Sequence, residues 1–239
     1  MKAIAVIPVR LASTRLARKA LREIAGVPLM GYVYRAVAAS TLLDDVLIAT
    51  DSAEIFEVCG KNGWHARMTS PQHRSGTERV HEVSTRVSAD VYLNVQGDEP
   101  LARPEHIAAL LDVMQDHAVE VGTLRTRAAD VDIANPNAVK VVTDHAGRAL
   151  YFSRATIPYD RDQTHPACYK HLGFYAYRKP ALDRFVSLSE SFLERSERLE
   201  QLRFLENGIP IHVGDTPYDT VGVDTEEDLR RVEELLRYR

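Results

Sequence analysis

The apolar run AIAVIPV (Ala3 to Val9) opens into four cations, Arg10, Arg15, Arg18 and Lys19, spread around the small polar step Ala12-Ser13-Thr14. Guanidinium forks and an ammonium gathered at one strand end suit several phosphate oxygens at once. RLASTRLARK lacks the glycines and the Gly-Lys-Ser/Thr ending of a Walker loop, and it is not a dinucleotide fingerprint. Ligands of open parallel sheets bind beyond the carboxyl ends of the strands, where these cations fall, so an anionic ligand such as a nucleoside triphosphate fits. A solvated basic loop has the same composition. Farther on, NVQGDEP closes another apolar run with Gln96, Gly97, Asp98 and Glu99, and GVDTEEDL sets Asp224 after a strand-like stretch. Either acid alone reads first as a turn or cap residue; two acids with phosphate oxygens make an Mg²⁺ site.

The elements that must carry these residues follow from periodicity. AIAVIPV, DVLIAT (Asp45 to Thr50) and DVYLNV (Asp90 to Val95) are nearly continuous apolar runs, as in strands covered on both faces. Helical patterns lie between and after them, over Leu29 to Ser40, Ala53 to Asn62, Thr77 to Val87 and Glu105 to His117. Strand and helix in alternation give right-handed crossovers and a doubly wound sheet. In the second half, NAVKVVTDHAGRALYFS reads as a hairpin around His-Ala-Gly, and KHLGFYAYR as a strand with Tyr175 and Tyr177 on one face, so the sheet becomes mixed. Ser196 to Glu206 reads as one helix stopped by Asn207-Gly208, IHV as a short strand, and Thr225 to Arg237 as a charged helix capped near Asp224. The expected fold class is α/β, a mixed, mainly parallel sheet flanked by helices.

At 239 residues, 45% hydrophobic and 27% charged, the chain can close one large core over residues 1–239. A net charge of −4 argues against nucleic acid or an anionic membrane as partner, so the early cations are a local site. Cys59 and Cys168 have no zinc-type spacing and read as two free thiols in a reducing, cytoplasmic setting. No apolar stretch reaches membrane-spanning length, and no signal-peptide pattern precedes the first strand.

The segments PVRLASTRL, TDSAEI, SGTERV, NVQGDEPL, NPNAVKVV, ALYFSRATIP, YKHLGFYAY, LEQLRFLENG and GVDTEEDL, in that order, resemble the CMP-Kdo synthetase family, the 3-deoxy-manno-octulosonate cytidylyltransferases of bacterial lipopolysaccharide synthesis. The resemblance runs nearly end to end. It implies a fold like that of nucleotide-diphospho-sugar transferases, and a reaction in which CTP and the acid sugar Kdo give CMP-Kdo and pyrophosphate. It also implies roles for single residues. Arg10, Ser13, Arg15 and Lys19 would hold the triphosphate, with Ser75, Gly76 and Gln96 near the cytosine. Asp98 and Asp224 would bind Mg²⁺. Arg154, His171, Tyr175, Glu200 and Gln201 would hold the sugar, Arg154 pairing its carboxylate. The same resemblance implies a homodimer, formed through a hairpin-containing region at about residues 135–210 that also holds the sugar. Without it, Ser75 reads equally as a helix cap, and His171, Glu200 and Gln201 as ordinary structural polar residues.

One stretch departs from the family pattern. Where the family runs Arg-Leu-Pro-Gly-Lys-Pro-Leu, this chain has Arg15-Leu16-Ala17-Arg18-Lys19-Ala20-Leu21. The loop from Leu11 to Leu21 is therefore expected to be less preset, with Arg18 either on phosphate or in water. Another acid sugar, such as 8-amino-Kdo or a sialic acid, and a catalytically weakened nucleotide-binding protein are the competing readings.

Overall fold

β1 (Ala3–Val9) is buried at every position, as its unbroken apolar run requires. The structure is a computed structural model that describes residues 1–12 and 16–237. The roles expected of Ser13 and Arg15 fall outside those residues. Tertiary contacts divide the chain into two compact units, Met1–Ala108 with Thr220–Arg239, and Ala109–Asp219.

In the first unit β1 lies between β4 (Asp45–Thr50) and β6 (Val91–Val95), and β5 (Ala66–Met68) adds beyond β4, all in parallel. A two-residue pair, β2 (Glu23–Ile24) with β3 (Val27–Pro28), precedes the first crossover helix and was not foreseen. That helix, α1 (Leu29–Ala38), is followed by α2 (Ala53–Asn62) and α3 (Gly76–Arg86). The bounds of α2 are those its sequence predicts, because Ser52 Oγ accepts from the Ile55 N–H at one end and Gly63 turns left-handed (φ 70°) at the other. α4 (Pro104–Val113) stops short of His117, since the next amides fold back onto carbonyls three residues earlier, Met114 to Leu111 and Gln115 to Asp112, both at 3.1 Å.

The second unit is mixed, as expected. β7 (Val121–Arg127) pairs antiparallel with β10 (Tyr169–Tyr177) and parallel with β11 (His212–Asp215). Between β7 and β10 come the short α5 (Asp130–Ile133) and the predicted hairpin, β8 (Lys140–Thr143) with β9 (Ala149–Ser153), turned at Gly147 (φ 76°). After α6 (Lys179–Ser187), the single helix expected over Ser196 to Glu206 is two, α7 (Phe192–Glu197) and α8 (Leu202–Glu206). Arg198 breaks it at φ 55°, its N–H returning to Glu194 O, and Leu199 turns inward to 6% exposure. The Arg203 fork then holds the Glu194 carboxylate at 2.7 and 2.6 Å, fastening α8 to α7.

The last helix, α9 (Glu226–Arg237), returns to the first unit and packs Leu229 and Val232 with Leu16, Ile24, Leu29, Leu101 and Val223. Thr225 caps it: its Oγ1 accepts from the Asp228 N–H at 3.1 Å, and Asp228 Oδ2 accepts from the Thr225 N–H at 2.9 Å.

Gly31 in α1 faces the chain's single tryptophan, and a Cβ there would lie 2.4 Å from Trp64 Cη2. Alanine gains about 1 kcal/mol of helix propensity, while overpacking a core ring costs about 1–3 kcal/mol. Gly31→Ala should therefore lower stability in a urea titration followed by Trp64 fluorescence. Equal stability with unchanged emission contradicts this packing.

Candidate functional site

A cavity of about 380 Å³ opens at the carboxyl ends of β1 and β6, entirely within the first unit. β1 delivers Arg10 to it, and a short 3-10 turn, Lys19–Leu21, delivers Lys19. Beyond β6 the chain passes so close to β1 that a Cβ on Gly97 would meet Val9 Cγ2 at 2.8 Å and Pro8 O at 3.0 Å. A glycine is needed there, and it sets Gln96 and Asp98 on either side of the crossing. Gln96 donates from Nε2 to Asn94 Oδ1 at 3.2 Å and borders Gly76, whose Cβ would lie 3.4 Å from that nitrogen.

Opposite charges meet directly in the cavity. Lys19 Nζ donates to Asp98 Oδ2 at 2.5 Å and to Asp224 Oδ1 at 2.9 Å. Burial works to lower the ammonium's pKa, but Asp98 and Asp224 together outweigh it and hold it above its ordinary value. The cap of α9 is taken by Thr225, one residue on, while Asp224 Oδ1 accepts from Lys19. Backbone fixes its approach: the Val223 N–H donates to Asp98 O at 2.9 Å, and Thr220 Oγ1 donates to Glu99 Oε2.

Ser75 does cap α3, accepting from the Glu78 N–H at 3.3 Å, while the Arg74 N–H donates to Glu78 Oε2 at 2.6 Å. The capping residue also lines the cavity, so its capping role does not exclude the place near the base expected of it. The residues expected to hold triphosphate, base and metal that fall among the described residues all line this one cavity: Arg10, Lys19, Ser75, Gly76, Gln96, Asp98 and Asp224. Arg74 lines it too and was missed; its signal was an arginine directly before SGTER. Arg18 is largely exposed, and it also has a partner that the spacing did not predict. Its backbone is left-handed (φ 55°, ψ 33°), at the position where the family loop carries glycine, and its guanidinium pairs with Glu54 of α2.

The five expected sugar residues lie in the second unit. His171 Nε2 is 2.9 Å from Thr123 Oγ1, its ring meets Phe152 edge-on at 4.9 Å and Tyr175 at 5.4 Å, and burial of the ring pushes its pKa down to about 3. The imidazole is therefore neutral at pH 7. Tyr175 stacks on Tyr177 at 5.8 Å on one face, as alternation predicts, and burial, Tyr177 and Glu200 drive its pKa well above 10. Gln201 is buried and Glu200 half-buried in the turn before α8. Arg154 is already anchored: Nε donates to Glu197 O at 2.7 Å, Nη1 to Pro136 O at 3.0 Å and Nη2 to Arg198 O at 3.4 Å. A guanidinium has five N–H groups, which leaves two for a carboxylate.

Among known proteins, the cytidylyltransferase family profile matches residues 4–211. A 3-deoxy-manno-octulosonate cytidylyltransferase of Koribacter versatilis is 67% identical over 240 residues, covering 100% of this chain and 92% of that protein. The chain belongs to this cytidylyltransferase family. An Acidobacterium capsulatum protein of the same name is 56% identical over 240 residues, with 100% of this chain and 98% of its own covered. The solved CMP:2-keto-3-deoxy-manno-octonic acid synthetase complexed with CTP superposes with a TM-score of 0.95 at 40% identity, covering 100% of this chain and 99% of that one. The fold expected from the resemblance is the fold found.

His171 gives this cytidylyltransferase a pH signature. Its folded pKa lies below the unfolded value of 6.5, so between about pH 6.5 and 3 the unfolded chain binds the extra proton and stability falls as pH falls. His171→Phe should flatten the stability–pH curve in that window, read by denaturant titration at pH 4.5 and 7. An equal loss in parent and variant contradicts a neutral, buried imidazole.

Proposed function

We propose that this chain transfers CMP from CTP to 3-deoxy-D-manno-octulosonate (Kdo), giving CMP-Kdo and pyrophosphate for lipopolysaccharide synthesis. The observation that carries it is the Lys19 ammonium held between Asp98 and Asp224 in a cavity that also holds Arg10, Ser75 and Gln96. Three or more His, Cys, Asp or Glu side chains able to hold a metal ion are not found together among the described residues. Two carboxylates alone are an incomplete metal site, and phosphate oxygens complete it. That the pair already grips one cation, the Lys19 ammonium, fits Asp98 and Asp224 as holders of Mg²⁺. Such an ion supplies Lewis-acid polarisation of phosphate oxygens and a lower pKa for the attacking hydroxyl.

The remaining work falls to side chains. The anomeric hydroxyl of the sugar attacks the α-phosphorus in line, and pyrophosphate leaves. Arg10 and Lys19, with Arg15, stabilise the charge that gathers on the leaving group. Ser75, Gly76 and Gln96 position the base, and Arg154 pairs the sugar carboxylate. His171, with a pKa of about 3, is too weak a base at pH 7 to remove the hydroxyl proton, so it orients the sugar as a neutral hydrogen-bonding group. Exposed Leu150, Tyr159 and Phe192, at 62%, 85% and 68%, support a homodimer formed through the second unit. Free Cys59 and Cys168 support a cytoplasmic setting, and no helix among the described residues is long and apolar enough to cross a membrane.

Pyrophosphate release from CTP with Mg²⁺ and Kdo tests the reading, with 8-amino-Kdo and a sialic acid in parallel. Kdo should turn over fastest, and Asp98→Asn and Asp224→Asn should each lower the rate about a hundredfold or more in folded protein. Faster turnover of another sugar, or CTP binding without turnover, overturns it.

A further inference from the structure

NPNAVKVV contains a charged group that the reaction does not use. Lys140, on β8, is 0% exposed. Burying an ammonium is costly unless each N–H finds an acceptor, and for stability alone an apolar side chain at such a site is often as good or better. Here all three find one: Nζ donates to Asn135 O at 2.8 Å, Ala138 O at 2.6 Å and Arg154 O at 2.8 Å. Burial still lowers its pKa; Asp132 and Glu197 work against that, and the Arg154 guanidinium adds to it.

The acceptors sit where Arg154 needs support. Asn135 O and Ala138 O flank Pro136, whose carbonyl takes Arg154 Nη1 at 3.0 Å. The third acceptor is the carbonyl of Arg154 itself. The opposite side is set by Glu197, whose Oε1 accepts from Ser153 Oγ at 2.6 Å, whose Oε2 accepts from the Arg154 N–H at 2.9 Å, and whose carbonyl takes Arg154 Nε. Ser153 is also the register partner of Lys140 across β8 and β9. The guanidinium is thus caged by carbonyls, and one wall of the cage is fixed from below by a buried cation.

We propose that Lys140 is a positioning residue that aims Arg154, and so sets recognition of the sugar's carboxylate without touching the sugar. The inference rests on the sugar-site reading of Arg154. A lysine that only knits the hairpin to the 135–138 loop would alter stability and leave sugar recognition alone.

A double-mutant cycle on the full chain separates these, reading KM for Kdo, KM for CTP and kcat, with melting temperature as a control. Lys140→Met should raise KM for Kdo about tenfold and leave KM for CTP within about twofold. Added to Arg154→Met, which raises it further, Lys140→Met should change KM for Kdo by less than about twofold, because its effect passes through Arg154. Lys140→Gln, which keeps two N–H donors, is measured alongside so that the split is read even where methionine prevents folding. A lower melting temperature with unchanged KM for Kdo, or effects that multiply in the double variant, overturns the positioning role. An unchanged KM for Kdo in Arg154→Met overturns the sugar-site reading itself.

Discussion

The ammonium of Lys19 joins carboxylates from two distant stretches, Asp98, 79 residues along the chain, and Asp224, 205 residues along. Without a cation between them the two carboxylates would repel at close range in a partly shielded cavity. Much of the first unit serves that junction. The crossing at Gly97 brings the end of β6 against β1, so that Asp98 and Lys19 meet. Thr225 takes the helix cap while Asp224 accepts from Lys19, and the Val223 amide on Asp98 O sets the distance between the two acidic segments. A site assembled this way has its opposite charges already gathered in one place, which is what the proposed binding of phosphate oxygens and a divalent cation requires.

The second unit uses burial for a different end, to fix protonation states. His171 is held neutral and Tyr175 is held protonated, so each presents a constant pattern of donors and acceptors across the physiological range. Arg154 is immobilised by backbone carbonyls, which removes much of the entropy that a long side chain would lose on meeting a ligand. Under the proposed reading, recognition of an acidic sugar by Arg154 would depend less on net charge than on which of its N–H groups remain for the ligand.

The sequence was most legible where one periodicity dominated. β1, β4 and β6 declared themselves as continuous apolar runs, and the helical pattern over Ala53 to Asn62 gave the bounds of α2. The α7–α8 break was hidden because the polar and apolar spacing runs on through Arg198, and only the Arg203–Glu194 fork and the inward Leu199 show why the chain turns. The cations of the cavity were legible as charge after a strand, yet the Lys19 contact to two acids was not, since nothing in the spacing pairs positions that far apart. The left-handed backbone of Arg18 and its partner on α2 were not legible, because both depend on tertiary structure. Nothing in the spacing singles out Lys140, because its three acceptors are set by tertiary structure.

If Lys19 occupies the place of a cation between Asp98 and Asp224, removing its charge should free that place. Mn²⁺ titrated into nucleotide-free protein, with the unbound ion followed by electron paramagnetic resonance, measures this directly. Lys19→Met should bind Mn²⁺ more tightly than the parent, while losing affinity for CTP. Mn²⁺ affinity that is unchanged or weaker in Lys19→Met would contradict the account.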